Sequence, residues 1–322
     1  MELSACIVVY NGAEEAIRAA QTVLDCTRRY PLTLYLVDNA SPDGSGQRLT
    51  AAAKDGTLRT VPGQTVQVLC RMENGGFGTG HNTVLSLLHS RVHFILNPDI
   101  QLTADTLSDL ADWMAAHPGV VMTRPGLIFP DGKPQQLPLR RCNVRAMAYR
   151  QLPCLRFWAK YNDRYLMADK DLTKPTEIEF CTGSFSAVDT AAFKAVGGFD
   201  EGYFMYVEDA DLTQKMRTRG KAYLVPQYTA IHAWHRAAHR SLKPFLWQLR
   251  SLLRYFSKWG FAWYAGTIWN GLRLLTGCGT QHPHRALCGT RVLLAAAPTT
   301  APCFRRWRRL QLLRCGVGGV QR

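Results

Sequence analysis

Acidic residues run out two thirds of the way along this chain. All 24 aspartates and glutamates lie at or before Asp211, although the sequence continues to residue 322. About half of its 39 lysines and arginines fall in the acid-free remainder, so a near-neutral front part is followed by a cationic tail. The ten cysteines form no CxxC pair and keep no regular spacing, which reads as reduced thiols in a cytosolic protein. No leader pattern precedes the first apolar run, and nothing repeats internally. The apolar stretch from Gly260 to Trp269 is too short to span a bilayer. The make-up is otherwise ordinary: 47% hydrophobic and 20% charged residues give enough apolar material for one large or two small folded domains.

Short apolar runs alternate with helical patterns from residue 3 onward. Strands are expected at Leu3 to Tyr10, Leu32 to Val37, Thr65 to Cys70 and Val92 to Leu96, then at Glu177 to Val188 and Tyr223 to Pro226. Helices are expected at Glu14 to Leu24, Asn82 to His89, Ala104 to His117 and Leu212 to Arg219. Strand–helix alternation with continuous apolar strands predicts an α/β fold with a mostly parallel central sheet flanked by helices. Ligands in such folds bind beyond the carboxyl ends of the strands. The region from Lys133 to Lys174, rich in proline, arginine and aromatics, reads as an insertion beside the site.

The polar clusters fall where that rule places a ligand. Asp38 ends the second strand before a turn-forming Asn-Ala-Ser-Pro-Asp-Gly; its carboxylate could accept from a nucleobase or a ribose, although acids there serve turns more often. Gly75, Gly76, Gly78 and Gly80 would let the backbone approach a ligand closely ahead of a helix. A dinucleotide fingerprint belongs after the first strand, however, and Tyr10-Asn11-Gly12 stands there, so a dehydrogenase is rejected. The fourth strand ends Asn97-Pro98-Asp99, an acid suited to a divalent ion shared with phosphates. His232 and His235 follow the last short strand, and imidazole suits Mn²⁺ better than Mg²⁺. Glu208, Asp209 and Asp211 then follow the apolar run Tyr203 to Val207. Asp211 can be explained as a helix-start acid. The other two suggest a reaction centre, because apolar walls raise a carboxylate pKa toward that of a general base.

Taken in order, Val9-Tyr10-Asn11, Val37 to Ser41, Asn74 to Asn82, Leu96 to Asp99, Gly183-Ser184, Gly197 to Glu201, Glu208 to Leu212 and His232 resemble glycosyltransferase family 2, in its bacterial rhamnosyltransferase-like branch. The resemblance covers roughly residues 3 to 260 and implies a GT-A fold. It implies that Tyr10, Asp38 and Arg71 line the base pocket, that Asp99 and His232 hold Mn²⁺ or Mg²⁺, and that Gly183 lets the donor sugar pass close to the backbone. Asp209 would be the catalytic base with Glu208 beside it. Asn97 departs from the family's DxD motif and lowers the charge of the site. The implied reaction is an inverting transfer from a nucleotide-sugar, dTDP-rhamnose before a UDP-hexose, to a saccharide acceptor. A sugar-phosphate nucleotidyltransferase is the nearest rival, but it should carry a basic glycine-rich loop after the first strand.

The expected domains are a catalytic one over 1–235, a basic amphipathic helical region over 236–275 and an irregular basic tail over 276–322. Phe245, Leu249, Leu252, Leu253 and Phe256 recur at helical spacing, with Gln248, Arg250, Arg254 and Lys258 on the other side. A cationic helix bearing Trp and Phe suits an anionic membrane surface. The acceptor is therefore expected to be lipid-linked, at the inner membrane, in O-antigen, lipopolysaccharide or related cell-surface polysaccharide assembly. Nucleic acid is not an expected partner, since the basic tail carries no reading motif and the acidic front half has no role in that scheme.

Overall fold

The computed structural model describes residues 1–151, 154, 156–233 and 242–261. The expected tail over 276–322, the parts of the helical region at 236–241 and 262–275, and His235 lie outside the described residues. In chain order the elements begin with β1 (Leu3–Val9), α1 (Ala13–Cys26), β2 (Leu32–Asp38), α2 (Ser45–Lys54), β3 (Gln64–Cys70), α3 (Phe77–Asn82), β4 (Val92–Leu96), β5 (Ile100–Gln101) and α4 (Thr106–Ala116). They continue with β6 (Val120–Ile128), α5 (Val144–Gln151), α6 (Ala159–Tyr165), β7 (Thr176–Ile178), β8 (Phe185–Asp189), α7 (Thr190–Ala195), α8 (Glu208–Arg217), β9 (Lys221–His232) and α9 (Leu242–Trp259).

The strands form one sheet in the order β3-β2-β1-β4-β8-β6-β9-β5, with β7 paired to β9. The first four run parallel, and Val9 lies opposite Asp38, which lies opposite Cys70. The carboxyl ends of β1, β2 and β3 are therefore level, and the loops after them converge on one edge. Every residue of β1 is buried because both faces of the sheet are covered. Ile7 and Val9 face a core shared with Ala16, Ala20 and Leu24 of α1 and Leu107 of α4. Cys6 and Val8 face a second core with Phe193, Phe199, Leu212 and Met216. Alternation along the strand separates these two layers.

The chain departs from the expected pattern where glycine or polar residues sit inside elements. α3 starts in the glycine run rather than after it, and only a short 3₁₀ turn (Leu85–Leu87) follows. A Cβ on Gly80 would fall 2.6 Å from Val8, one on Gly78 would fall 2.8 Å from Phe199, and one on Gly76 would fall 2.0 Å from the Phe204 carbonyl oxygen. These glycines admit neighbouring protein. The strand expected over Glu177 to Val188 is two, β7 and β8, and the loop between them carries Gly183 toward the site. The short strand at Tyr223 to Pro226 is the twelve-residue β9, which passes through Pro226 with an irregularity in its pairing to β6.

α9 packs on the sheet domain through Tyr255 and Phe256, which join a cluster with Cys142, Ala146, Tyr165, Tyr203 and Ala210. Its other side leaves Phe245, Leu246, Leu249 and Leu253 exposed. Among the described residues no helix is long and apolar enough to cross a membrane.

Candidate active site

The first cluster lies where β1, β2 and β3 end. Asp38 is buried, and its carboxylate accepts from the Ser41 N–H at 3.3 Å. The Arg71 N–H donates to the Asp38 carbonyl at 2.9 Å, and both residues line a cleft of about 510 Å³ with Gly46 and Lys54. A Cβ on Gly46 would come 2.9 Å from Asp38 Oδ2, so that glycine sets how far the carboxylate stands from α2. Tyr10 projects from the end of β1, 52% exposed, and does not line that cleft. The Asn39 N–H donates to the Val9 carbonyl, which keeps the two loops together.

The second cluster joins β4, β5 and β9. Ile100 pairs with His232 across antiparallel strands, and the Ala233 N–H donates to the Asp99 carbonyl. This brings His232 Nε2 to 3.4 Å from Asp99 Oδ2. The other ring nitrogen, Nδ1, lies 2.8 Å from Gln135 Oε1, while Gln135 Nε2 donates to the His232 carbonyl. An amide oxygen only accepts, so Nδ1 donates to Gln135, which turns Nε2 toward the Asp99 carboxylate. A carboxylate oxygen and an imidazole nitrogen turned toward one another form a donor set that fits a divalent ion. Among the described residues no group of three or more His, Cys, Asp or Glu is placed to hold a metal ion. Asn97 stands at the end of β4, with its N–H on the Ser184 carbonyl. Gln135 carries no motif of its own and was not legible in the sequence.

The third cluster opens α8. The helix begins at Glu208, four residues earlier than its apolar periodicity indicates, so all three acids lie in its first turn. Asp209 Oδ2 accepts from the Gly183 N–H at 2.9 Å and Oδ1 from the Ala210 N–H at 2.8 Å. A Cβ on Gly183 would meet the Phe77 ring at 3.0 Å and Asp209 Cβ at 3.4 Å. Gly183 thus sits against the carboxylate it holds. Burial raises the pKa of both acids, and the neighbouring Asp209 charge helps push Glu208 from 4.5 to about 8. Two N–H donors favour the ionised form of Asp209, whereas Glu208 Oε2 has no partner among the described residues. At neutral pH the shared proton therefore resides on Glu208. The turn feeding this helix is strained: Tyr206 and Val207 take φ of 69° and 70°, a conformation that costs a β-branched residue about 1–3 kcal/mol.

A stability consequence follows from the raised pair. The folded protein keeps a proton that the unfolded chain releases near 4.5, so this pair makes stability fall as pH rises from there to about 8. Glu208→Gln should flatten that fall in denaturant midpoints measured across the range. An unchanged slope would remove Glu208 as its source.

Asp211 is not the cap its position suggests. The N-cap residue is Val207, with no side-chain cap bond, and Asp211 is fully buried. It accepts from Lys258 Nζ at 2.9 Å and from Trp259 Nε1 at 2.6 Å, both on α9. Asp200, two residues before Gly202, takes Arg254 and Lys258 from the same helix. Burial opposes its ionisation, but the hydrogen bonds from Arg254, the Gly202 N–H and Lys258 hold its carboxyl well below the usual range. Ser251 Oγ donates to the Met205 carbonyl. The last acids of the chain thus anchor part of its cationic region.

A level-ended α/β sheet with polar clusters beyond its carboxyl ends is a frame that binds a ligand at that edge. The family model for glycosyl transferase family 2 matches residues 4–197, and the chain belongs to that family. It is 27% identical over 236 residues to rhamnosyltransferase WbbL of Escherichia coli K12, covering 69% of this chain and 87% of that one. It is also 27% identical over 261 residues to an N-acetylglucosaminyl-diphospho-decaprenol L-rhamnosyltransferase of Mycobacterium tuberculosis, covering 72% and 79%. The chain is thus a rhamnosyltransferase-like glycosyltransferase of family 2. Among solved structures it resembles GalNAc-T7 with UDP, GalNAc and Mn²⁺ at a TM-score of 0.57 and 16% identity, covering 80% of this chain and 48% of that one. The mannosyltransferase PcManGT from Pyrobaculum calidifontis, in complex with GDP-Man and Mn²⁺, matches at 0.52 and 16%, covering 80% and 63%. At that identity the likeness concerns the fold, which is GT-A-like.

Proposed function

We propose that the protein transfers rhamnose from dTDP-rhamnose, with inversion, to a saccharide carried on a lipid diphosphate. The observation that carries this reading is Asp209, a half-buried carboxylate whose ionised form is favoured by the Gly183 and Ala210 N–H groups beside a protonated Glu208. Asp209 takes the proton of the acceptor hydroxyl as its oxygen attacks the anomeric carbon. The bond from that carbon to the diphosphate breaks on the opposite side, and the nucleoside diphosphate leaves. General-base help of this kind contributes about 10²- to 10⁴-fold. Asp99 and His232 would hold Mn²⁺ or Mg²⁺, which supplies Lewis-acid neutralisation of the leaving diphosphate. Asp38 and Arg71, on one cleft, would receive the base and ribose, and Asn97, at the end of β4, would face the diphosphate.

The donor assignment is supported by the two relatives named as rhamnosyltransferases. The acceptor class is supported by the diphospho-decaprenol in the name of the second and by the exposed apolar side of α9, which fits the inner membrane surface. The test is transfer to an N-acetylglucosaminyl-diphospho-lipid in anionic vesicles, with dTDP-rhamnose and UDP-hexoses as competing donors. Turnover with dTDP-rhamnose, and sedimentation of the protein with the vesicles, are the expected results. Turnover with a UDP-hexose alone would keep the reaction and change the sugar. A protein that stays in the supernatant would remove the membrane assignment.

A further inference from the structure

Arg124, on β6, is a buried cation without a counter-charge among the described residues. Its residue is 3% exposed, Nη1 donates to Thr182 Oγ1 at 3.2 Å, and Nε is buried without an acceptor among the described residues. The titratable group acting on it is the Cys181 thiol, which burial pushes up to about 11 and so keeps neutral. A buried guanidinium left in this state is costly, and such groups persist where something anionic meets them. Arg124 lines a cavity of about 650 Å³, within the range of small-molecule sites, together with Gln135, Gln136 and Thr173. The acid on its wall, Asp163, is exposed and forms no ion pair with Arg124 among the described residues.

The cavity adjoins both halves of the catalytic centre. Thr182, which Arg124 holds, precedes Gly183, whose N–H holds Asp209. Gln135, on the cavity wall, fixes the ring of His232. We propose that this cavity is a second anion-binding site, in which Arg124 takes a phosphoryl oxygen of the acceptor. Its assignment to the acceptor rests on the reading of that substrate as a lipid diphosphate. A guanidinium presents paired donors to phosphate oxygens, which matches this chemistry better than a sugar hydroxyl does.

Full-length wild-type protein and Arg124→Met test it. With divalent ions chelated, inorganic pyrophosphate should raise the melting temperature of the wild type and leave that of Arg124→Met unmoved. Without ligand, Arg124→Met should melt no lower than wild type, because the substitution removes an uncompensated buried charge; a structural arginine would give the opposite. In transfer to the N-acetylglucosaminyl-diphospho-lipid, the variant's acceptor KM should rise about tenfold or more while Mn²⁺-dependent dTDP binding stays unchanged. No pyrophosphate shift in the wild type overturns the site. A pyrophosphate shift lost in the variant, with an unchanged acceptor KM or weakened dTDP binding, overturns the acceptor assignment. Should the wild type fail to use the lipid acceptor at all, the acceptor reading fails, and the pyrophosphate arm still decides whether the anion site exists.

Discussion

Asp209→Asn is expected to lower kcat about 10²- to 10⁴-fold while leaving nucleotide binding intact. The amide keeps the shape of the side chain and can still accept from the Gly183 N–H, so the helix start should hold its place. What is lost is the ability to take a proton. Asp209 is distinguished from Glu208 by its surroundings: it has two N–H donors, whereas its neighbour's Oε2 has none among the described residues. The complementary variant, Glu208→Gln, should therefore cost less turnover than Asp209→Asn. The comparison needs initial rates at saturating donor and a dTDP binding curve for each variant. Equal turnover of Asp209→Asn and wild type would show that another group takes the proton.

Asp211→Asn should destabilise the protein by roughly 3 kcal/mol, the lower end of the cost of breaking a buried ion pair, since the Lys258 ammonium is partly exposed. The substitution leaves Lys258 with Asp200 as its one carboxylate partner among the described residues and weakens the bond from Trp259 Nε1, so α9 loses its deepest anchor on α8. Ser251 and Arg254 remain on Met205 and Asp200, which should keep α9 attached but less firmly. The strained turn at Tyr206 and Val207 lies between these anchors, so kcat should fall along with stability. Urea midpoints for Asp211→Asn and Lys258→Met would check the account, since both variants break the same pair. A loss below about 1 kcal/mol in each would mean that the contact contributes no more than a surface ion pair.

The parts of this fold that sequence makes plain are those whose residues answer to burial alone. β1, β2 and β4 are apolar because both sheet faces are covered, and a continuous apolar run announces that. β6 was hidden because Arg124, Pro125 and Gly126 interrupt its apolar pattern. α2 was hidden because three of its four buried positions, Ser45, Gly46 and Ala52, are small and leave Leu49 as a lone large apolar residue. The polar half of β9, from Gln227 to Thr229, disguised a long strand as a short one.

Within the site, acids at strand ends and helix starts were visible because their chemistry is local. Gln135 and the α9 partners of Asp211 were not, because their roles depend on pairing across many residues of chain. Asp211 was misread for the same reason: a helix-start acid and a buried anchor look alike until the partner helix is placed.

A nucleoside diphosphate and a divalent ion are expected to bind together at Asp99 and His232. This joint binding is tested most directly by melting full-length wild type and Asp99→Ala with Mn²⁺ and with dTDP, UDP, GDP or NAD⁺. Ligands that bind the native state raise the melting temperature by mass action. The expected result is a rise with dTDP that requires Mn²⁺ and is lost in Asp99→Ala. A rise of equal size without metal, or one that survives in Asp99→Ala, would contradict it.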